Sequence, residues 1–362
     1  MKSKKIYLPQ ENSFNISLIV IVALLTIFGL IAIFDSSVVQ AYRDFGDSYY
    51  YIRAQLIWTV LAIFSAVFFA YFDYRSLKKL TWTALIISFL LLVAVFIPGL
   101  GTNSGGAQRW LNLGFLTIQP TEIFKLSAVL WLAGIFEGGV KIKHFLILVF
   151  LGVFLIGFLQ RDLGSTIVFT AASLSIYFVA GGPLWQLFLG LIFSSIGFLV
   201  LIFTSEFRRK RIAAFLDPFS DPQGFTYHIA QVLIALGSGG FLGLGLGQSR
   251  QKFYIPEVTT DSIFAVVGEE LGFLGGLFLI VLFAAVILIG FRISQKAPDV
   301  FGKLLAAGLT SWIGAQAVIN LSATVALLPL TGVPLPFISY GGSALLVNMA
   351  AIGILLNISR KG

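Results

Sequence analysis

The chain lacks cysteine and carries little charge. None of its 362 residues is Cys, which excludes disulfides, thiolate nucleophiles and cysteine-ligated metal or iron–sulfur centres. Two His residues leave little room for a zinc site. Charged residues make up 11% of the chain, less than half of the about 25% typical of soluble proteins. So little polar surface cannot cover a water-facing globule, and the composition excludes a soluble globular protein.

Long apolar runs take the place of the missing charge. Hydrophobic residues make up 58% of the chain, and several runs approach the ~20 residues that a helix needs to cross a bilayer. We therefore predict an all-α polytopic integral membrane protein with about ten transmembrane helices. A short N-terminal tail, 1–15, precedes a single transmembrane domain, 16–362. The predicted spans are approximately 16–35, 54–72, 80–98, 121–138, 144–160, 164–181, 184–205, 263–291, 304–326 and 343–359.

The distribution of Lys and Arg predicts how the helices are oriented, because cytoplasmic loops carry an excess of these residues. Placing both termini in the cytoplasm puts most basic residues of the short loops there, including Lys4 and Lys5 before the first span and Arg360 and Lys361 after the last. The net charge of +8 then reflects orientation and does not indicate nucleic acid. One long extracytoplasmic loop, 206–262, precedes the eighth helix.

Charged side chains at membrane depth are candidates for function, because placing one there costs at least ~2.5–3.5 kcal/mol. Glu122 and Lys125 lie three residues apart at the start of the fourth span, where they share a helix face. Two roles are possible for this pair: a structural ion pair, or part of the wall of a polar cavity. Asp162 lies between two apolar runs, as either a carboxylate at a helix start or a functional group.

Three carboxylates lie close together where the eighth span begins. Asp261 follows Thr260 and is placed to cap a helix, whereas Glu269 and Glu270 fall inside the apolar run. At 100° per residue, Glu269 lies about 80° around from Asp261 and roughly 12 Å along the axis. These two can border one cavity, and Glu270 falls on the opposite face. Capping alone does not explain three carboxylates here.

Two segments rich in glycine or proline interrupt the apolar pattern. The run 237–247 lacks the spacing of a nucleotide-binding loop. A flexible or closely packed segment is expected there, with backbone amides that cradle a lipid phosphate as the alternative. The segment 334–343 brings two prolines to the entrance of the last span. Irregular backbone at membrane depth is tolerated only against protein or a water-filled cavity, which favours a cavity wall.

Taken together, these motifs resemble the SEDS family (shape, elongation, division and sporulation). The resemblance rests on Arg-Trp-Leu-Asn-Leu-Gly at 109–114, Gln-Pro-Thr-Glu at 119–122, Gly-Glu-Glu-Leu-Gly at 268–272 and Leu-Pro-Phe-Ile-Ser-Tyr-Gly-Gly-Ser at 335–343. It covers the chain in order from about residue 50 to the end. Gly-Gln-Ser at 247–249 is more similar to the division and sporulation members than to the elongation members.

The resemblance implies a ten-helix polymerase of lipid II that extends a nascent glycan strand at the outer face of the bacterial plasma membrane. It also implies a cognate class B penicillin-binding protein as partner, with other proteins of a division or elongation complex. The family's essential acidic residue matches Asp261. Together with the charges above, the resemblance predicts substrate contacts from Arg53, Arg109, Glu122, Lys125, Asp162, Lys252, Glu269, Ser339, Tyr340, Gly341, Gly342 and Ser343.

The sequence departs from the family pattern near two of these residues. Thr259 stands where the family usually has His, two residues before the catalytic Asp, and Arg161 replaces the usual Pro before Asp162. The segment 320–324 also lacks the common Gly and second Asn. Asp261 itself is intact, but no role of the missing His carries over.

The reaction implied by the resemblance needs a single base, because diphosphate is a good leaving group that requires no proton. We predict that Asp261 deprotonates the acceptor hydroxyl. Arg109, Lys125 and Lys252 are predicted to stabilise negative charge on the diphosphate.

A divalent cation, Mg or Mn, is a candidate for the same stabilisation of the diphosphate. Its candidate oxygen ligands are Glu122, Asp162 and Glu269.

Two other functions stay open. A flippase of lipid-linked cell-wall precursor would need a cavity accessible from both leaflets, and the crowding of carboxylates on the outer side disfavours it. A scaffold that only recruits the penicillin-binding protein would not need Asp261.

Overall fold

The computed structural model describes residues 14–104, 107–112, 114, 117–203 and 206–362. Nearly all of the predicted N-terminal tail therefore lies outside the described residues. The helices are α1 (Ile16–Phe45), α2 (Tyr50–Tyr71), α3 (Tyr74–Leu77), α4 (Thr81–Ala94), α5 (Pro120–Phe136), α6 (Ile142–Gly152), α7 (Leu163–Val179), α8 (Leu184–Phe203), α9 (Glu206–Leu216), α10 (Tyr227–Gly239), α11 (Ile263–Lys296), α12 (Val300–Thr324) and α13 (Gly342–Lys361).

Among the described residues, seven helices are long and apolar enough to cross a membrane. The predicted all-α polytopic membrane fold is confirmed. Each predicted span overlaps a helix, although α5 and α7 have only 17 residues each. The count of ten spans stays a prediction, as do the domain limits.

The outer surface of the bundle is apolar, as expected of a protein solvated by lipid. Ile27 on α1 is 56% exposed and Phe64 on α2 is 70% exposed. In contrast, α12 and α13 are largely buried at the centre of the bundle. Small residues let the central helices approach closely: a Cβ on Gly353 of α13 would lie 2.3 Å from the carbonyl oxygen of Ala66 on α2. Close backbone contact of this kind is how membrane helices pack.

Ion pairs join the elements at one end of the bundle. Arg75 Nε lies 2.9 Å from Asp299 Oδ2, and Lys361 Nζ lies 2.7 Å from Asp73 Oδ2. The N-terminus of α1 and the C-terminus of α13 also lie here, because Arg360 stacks over Phe14. The C-terminus of α11 is close by, since Lys296 lines a pocket with Phe14. All these segments belong to the predicted cytoplasmic side.

The opposite end carries a small antiparallel sheet followed by the start of α5. Its strands are β1 (Gly101–Ser104), β2 (Ala107–Asn112) and β3 (Thr117–Ile118). A bulge between Thr102 and Asn103 shifts the pairing of β1 and β2. Pro120 then begins α5 at the first helical position, where its missing N–H is not needed.

The predicted long loop, 206–262, contains the two helices α9 and α10 and leads to a broken helix. The backbone of Gly272 is non-helical (φ 64°, ψ −162°) inside α11. Leu244 and Gly245 of the glycine-rich run donate their N–H groups to the carbonyls of Glu269 and Glu270, at 3.0 and 2.9 Å. The run is therefore the closely packed segment, and it satisfies carbonyls that the break leaves without helical partners.

Candidate active site

Asp261 lies in the short segment that leads from the long loop into α11, and its side chain is only 9% exposed. The backbone around it is fixed: Asn320 Nδ2 of α12 donates to the Asp261 carbonyl at 2.8 Å. The Thr260 hydroxyl donates to Asp261 Oδ1 at 3.4 Å. Because few donors reach the carboxyl group itself, its environment is set mainly by burial.

Burial raises the pKa of Asp261 to about 6, and the positive charge of Arg211 opposes the rise. A carboxyl group with this pKa is mostly ionised at neutral pH, yet it holds a proton far better than an exposed Asp. The pKa of a general base is most effective near the working pH. The environment of Asp261 thus suits proton abstraction.

Arg211 on α9 is a member of this site that the sequence did not single out. Its Nη1 donates to the carbonyl of Leu330 at 3.0 Å. The charges of Asp261, Asp162 and Arg109 all act on its guanidinium, and burial lowers its pKa below the usual value. The available signal was the basic run 208–211 on the predicted extracytoplasmic side.

Arg109 and Asp162 meet at the turn before α7. Arg109 donates from Nε to the carbonyl of Gln160 at 3.3 Å and from Nη2 to that of Arg161 at 2.7 Å. Arg161 has a left-handed backbone (φ 55°), which the usual Pro cannot adopt. Asp162 caps α7, accepting from the N–H and the hydroxyl of Ser165 at 3.0 and 2.9 Å. The helix-start role of Asp162 is therefore observed, and its predicted contact with substrate stays a prediction.

The segment 335–343 holds the backbone on which Asp261 lies. The N–H of Tyr340 donates to the carbonyl of Thr259 at 2.8 Å, and the hydroxyl of Ser339 donates to the carbonyl of Thr260. The predicted cavity-wall segment and the catalytic candidate are thus joined directly. Both contacts are made to backbone carbonyls, by the Ser339 side chain and by the Tyr340 main chain.

The remaining residues of this segment connect it to α2 and α5. The N–H of Gly341 donates to Gln55 Oε1 at 3.3 Å, and Ser343 Oγ accepts from the N–H of Gln119 at 3.2 Å. Gly342 lies against the ring of Trp58, where a Cβ would approach to 2.1 Å. Residues 341–343 therefore fix the start of α13 against its neighbours.

Tyr340 also presents its ring near α2. The ring lies edge-on to that of Tyr51, with 5.3 Å between the centroids. Burial raises the pKa of Tyr340 to about 12, so its hydroxyl keeps its proton at physiological pH.

Glu122 and Lys125 form an ion pair in the core of the bundle. Lys125 Nζ lies 2.7 Å from Glu122 Oε1 and 2.9 Å from Gln316 Oε1 of α12, and both charged side chains are 1% exposed. Gln316 Nε2 in turn donates to the carbonyl of Pro334 at 3.1 Å. Of the two alternatives, the structure shows the ion pair, which braces α5 and α12 beneath the segment before α13.

Lys252 lies beside the turn 249–251, next to the glycine-rich run, and Glu269 of α11 accepts hydrogen bonds from this turn. Lys252 Nζ lies 2.9 Å from Asp35 Oδ1 of α1 and 3.4 Å from Glu270 Oε1. Glu269 accepts from the N–H of Arg250 at 3.0 Å. The charge that Lys252 was predicted to offer to a diphosphate is already neutralised. Glu269 anchors this turn by accepting from residues 249–251, and its place beside a cavity with Asp261 stays a prediction.

Arg53 is also apart from this cluster. Its side chain is 68% exposed, with Nη1 2.9 Å from Asp47 Oδ2, and its guanidinium lies 5.9 Å from the centre of the Tyr49 ring. These contacts place it at the rim of the bundle, at the start of α2.

His228 on α10 is a second neighbour that sequence reasoning missed. Its Nε2 lies 2.7 Å from the hydroxyl of Ser262, the residue after Asp261. Burial lowers the pKa of His228 to about 4, and Arg211 contributes in the same direction. The imidazole is therefore neutral at pH 7. An imidazole thus approaches the Asp261 segment from another helix, although Thr259 stands where the family usually has His.

The carboxylates predicted to bind a cation already have partners, apart from Glu122 Oε2, which is buried without a hydrogen bond among the described residues. Glu122 is paired with Lys125, Asp162 caps α7, and Glu269 accepts from the turn 249–251. Within the part of the chain that the structure describes, no three His, Asp or Glu side chains cluster as metal ligands. These residues do not form a fitting donor set, and we derive no step through a metal. The cation stays a prediction.

Fold and site together define a class: a polytopic helical membrane protein with buried carboxyl groups and nearby arginines at one end of its bundle. The chain belongs to the FtsW/RodA/SpoVE family of cell cycle proteins, whose sequence profile matches residues 15–362.

Individual relatives agree with this assignment over nearly the full chain. Stage V sporulation protein E of Bacillus subtilis is 40% identical, with 97% of this chain and 98% of the relative covered. The probable peptidoglycan glycosyltransferase FtsW of Trichlorobacter lovleyi is 38% identical, with 96% and 93% covered.

Solved structures show the same fold. A chain from a peptidoglycan synthase complex, studied for its coordination of polymerization and crosslinking, superposes with a TM-score of 0.81 at 26% identity. The comparison covers 96% of this chain and 98% of that one. The rod shape determining protein RodA of Thermus thermophilus superposes with a TM-score of 0.69 at 26% identity, covering 96% and 97%.

Proposed function

We propose that this protein is a peptidoglycan glycosyltransferase that polymerises lipid II into glycan strands at the outer face of the bacterial plasma membrane. The observation that carries the proposal is the buried carboxyl group of Asp261, whose pKa is raised to about 6 at the end of the bundle opposite the predicted cytoplasmic loops. The FtsW relatives, which are named as probable peptidoglycan glycosyltransferases, support the same reaction.

In the proposed reaction, the 4-hydroxyl of an acceptor GlcNAc attacks C1 of the donor MurNAc. The new C1–O bond forms as the bond from C1 to the diphosphate breaks, with inversion at C1. The diphosphate leaves with the bonding electron pair and remains attached to its polyprenyl chain. Asp261 takes the proton of the attacking hydroxyl, which makes it the single general base of the reaction.

Two arginines near Asp261 are suited to the negative charge that develops on the diphosphate. Arg211 and Arg109 act electrostatically on each other at this site, and both are anchored to backbone carbonyls. Fixed cations of this kind stabilise developing charge without having to reorganise during the reaction. We assign this role to Arg211 and Arg109 in place of Lys125 and Lys252, because carboxylates neutralise the charges of both lysines.

We propose a class B penicillin-binding protein as the partner that crosslinks the product. The likeness to a chain of a peptidoglycan synthase complex supports this pairing. The nascent glycan strand and other proteins of a division or elongation complex complete the proposed set of partners.

The proposal is tested with purified full-length protein and fluorescent lipid II, in the presence and absence of a cognate penicillin-binding protein. We expect glycan chains that lysozyme digests, and their formation should continue when the transpeptidase is blocked by a β-lactam. Movement of lipid II between the leaflets of a vesicle without polymer would instead identify a flippase. Absence of both activities in the complex, with partner binding intact, would identify a scaffold.

A further inference from the structure

An apolar groove opens toward the lipid between α1 and α2, with α13 behind it. Its volume is about 510 Å³, within the roughly 300–1,000 Å³ typical of ligand sites. Along α1 it extends from Ile19 to Leu30, which is roughly 16 Å at 1.5 Å per residue. That length matches about half of the ~30 Å hydrocarbon core, the depth of one leaflet.

The groove is chemically suited to a hydrocarbon chain. Its polar side chains include Thr26 and Thr59, and both hydroxyls donate within their own helices, to the carbonyls of Val22 and Gln55 at 2.8 Å each. Neither hydroxyl is therefore free to donate a hydrogen bond to a ligand. A sugar or a peptide would find little to bind, whereas an acyl chain needs only apolar contact.

The end of the groove at the predicted cytoplasmic side is basic. Phe14 lines both the groove and an adjoining pocket of about 440 Å³, whose wall includes Arg292 and Lys296 of α11. The guanidinium of Arg360 lies 5.1 Å from the Phe14 ring centre and 5.5 Å from that of Tyr71, which also lines the groove.

Arg360 adds a hydrogen-bond donor where the groove meets the adjoining pocket. Its Nε is buried and has no hydrogen-bond partner among the residues that the structure describes. A buried donor without an acceptor is destabilising, and a phosphate oxygen at this position would supply the missing acceptor. Cationic pockets between helices on the cytoplasmic side are suited to anionic lipid headgroups.

We propose that this groove and its basic end form a binding site for an anionic glycerophospholipid of the cytoplasmic leaflet. The acyl chain lies between α1 and α2, and the headgroup phosphate is held by Arg292, Lys296 and Arg360. The site is at the opposite end of the bundle from Asp261 and is independent of the proposed reaction.

The test uses the full-length protein in detergent, titrated with phosphatidylglycerol or phosphatidylcholine, with bound lipid counted by native mass spectrometry. The variant Arg292→Gln/Lys296→Gln is expected to weaken phosphatidylglycerol binding by about tenfold or more, since each basic residue near a headgroup contributes about 1 kcal/mol. The control Lys79→Gln/Lys143→Gln removes two charges from the same predicted side and should change binding less than about twofold.

A second variant tests the groove itself. Ala23 is exposed and lines the groove, so Ala23→Phe fills it from the lipid side without entering the core. Lipid retention should fall while the unfolding temperature in lipid-free detergent is unchanged. Equal binding of the two lipids by the wild type, equal losses in the two double variants, or full retention by Ala23→Phe would each overturn the proposal.

Discussion

The carboxyl group of Asp261 experiences two opposing influences, burial and the guanidinium of Arg211. Burial dominates and raises the pKa to about 6, while Arg211 lowers it. A general base must be ionised to act. Activity should therefore be lost as the pH falls through about 6 and should be nearly full at pH 7.5. The rate of glycan formation from labelled lipid II, measured between pH 5 and 8.5, checks this.

Substitution of Arg211 should move that profile in a defined direction. Arg211→Gln removes the charge that favours the ionised carboxylate, so the acid limb should move to higher pH. The maximal rate should also fall by roughly tenfold or more, because a cation facing the diphosphate is lost. Arg209→Gln removes an equal charge from an exposed position two residues away. A profile that shifts equally in both variants would contradict the role of Arg211.

Gly342 illustrates a packing constraint at the scale of one methyl group. A Cβ there would lie 2.1 Å from the ring of Trp58, so Gly342→Ala forces α13 away from α2. Overpacking of this kind costs typically about 1–3 kcal/mol, and the unfolding temperature in detergent should fall. Gly341→Ala is the matched control, since its Cβ would meet only Ala344, at 3.7 Å. Equal stability of the two variants would contradict this packing.

At the residue scale, the sequence predicted those site residues that belong to a short, recognisable sequence motif. Asp261 and the segment 335–343 were predicted as parts of one site, and the backbone hydrogen bonds between them agree. Arg211 and His228 were not predicted, because their place depends on how α9 and α10 fold back toward α11. Nothing in the spacing of a long loop fixes that arrangement.

At the scale of the element, the break in α11 depends on the glycine-rich run. Gly243 has a positive φ (83°), and a Cβ there would lie 2.1 Å from the Glu270 carbonyl oxygen. Gly243→Ala should disrupt the hydrogen bonds that cover the break. The clash adds to the roughly 1–2 kcal/mol of the left-handed backbone. Gly237→Ala, in the same run, meets nothing within 4 Å and should be tolerated. The measurement is the unfolding temperature of the two variants. An unchanged value for Gly243→Ala would contradict the role of the glycine-rich run in covering the break.

The turn before this break is held by an ion triad in which Lys252 and Glu270 have buried side chains and Asp35 is partly exposed. Lys252 lies between Asp35 of α1 and Glu270 of α11, so Lys252→Met leaves two carboxylates facing each other. Removing one partner of a buried pair costs about 3 kcal/mol or more, and the unfolding temperature should drop clearly. Neutralising both acids as well, with Asp35→Asn and Glu270→Gln, should restore part of the loss.

An exposed ion pair provides the control for this triad. Lys210→Met breaks the pair between Lys210 and Glu206 on the surface of α9, where solvent screens the charges. It should leave the unfolding temperature unchanged. If Lys252→Met also left the unfolding temperature unchanged, the triad would not stabilise the turn.

The sequence predicted where the helices lie but not how their ends are built. Apolar runs overlap every observed membrane helix because burial in lipid demands them. The break at Gly272 lies inside one such run, Ile263 to Leu282, where hydropathy alone shows no interruption. The break is compensated by hydrogen bonds from a segment about 30 residues earlier in the chain, which a local pattern does not reveal.

At the scale of the whole molecule, the small number of charges is divided between two ends. One end holds surface ion pairs such as Arg75–Asp299, together with the basic pocket of α11. The other holds the buried carboxyl groups of Asp261 and Asp162 and the partly exposed side chains of Arg109 and Arg211. This chain, which is 58% hydrophobic, thus keeps its buried acid and the nearby guanidinium groups at the end predicted to face outward, where the proposed lipid-linked sugar would be reached.

The central claim is that Asp261 is the base of a glycosyl transfer. The measurement is polymerisation of labelled lipid II by purified wild-type, Asp261→Asn and Asp217→Asn proteins, each in complex with the same penicillin-binding protein. Asn keeps the shape of the buried side chain but cannot take the proton, whereas Asp217 is exposed in the same long loop. Glycan chains from the wild type and Asp217→Asn, with none from a folded, partner-bound Asp261→Asn, are predicted. Polymerisation by Asp261→Asn at the wild-type rate would contradict the claim.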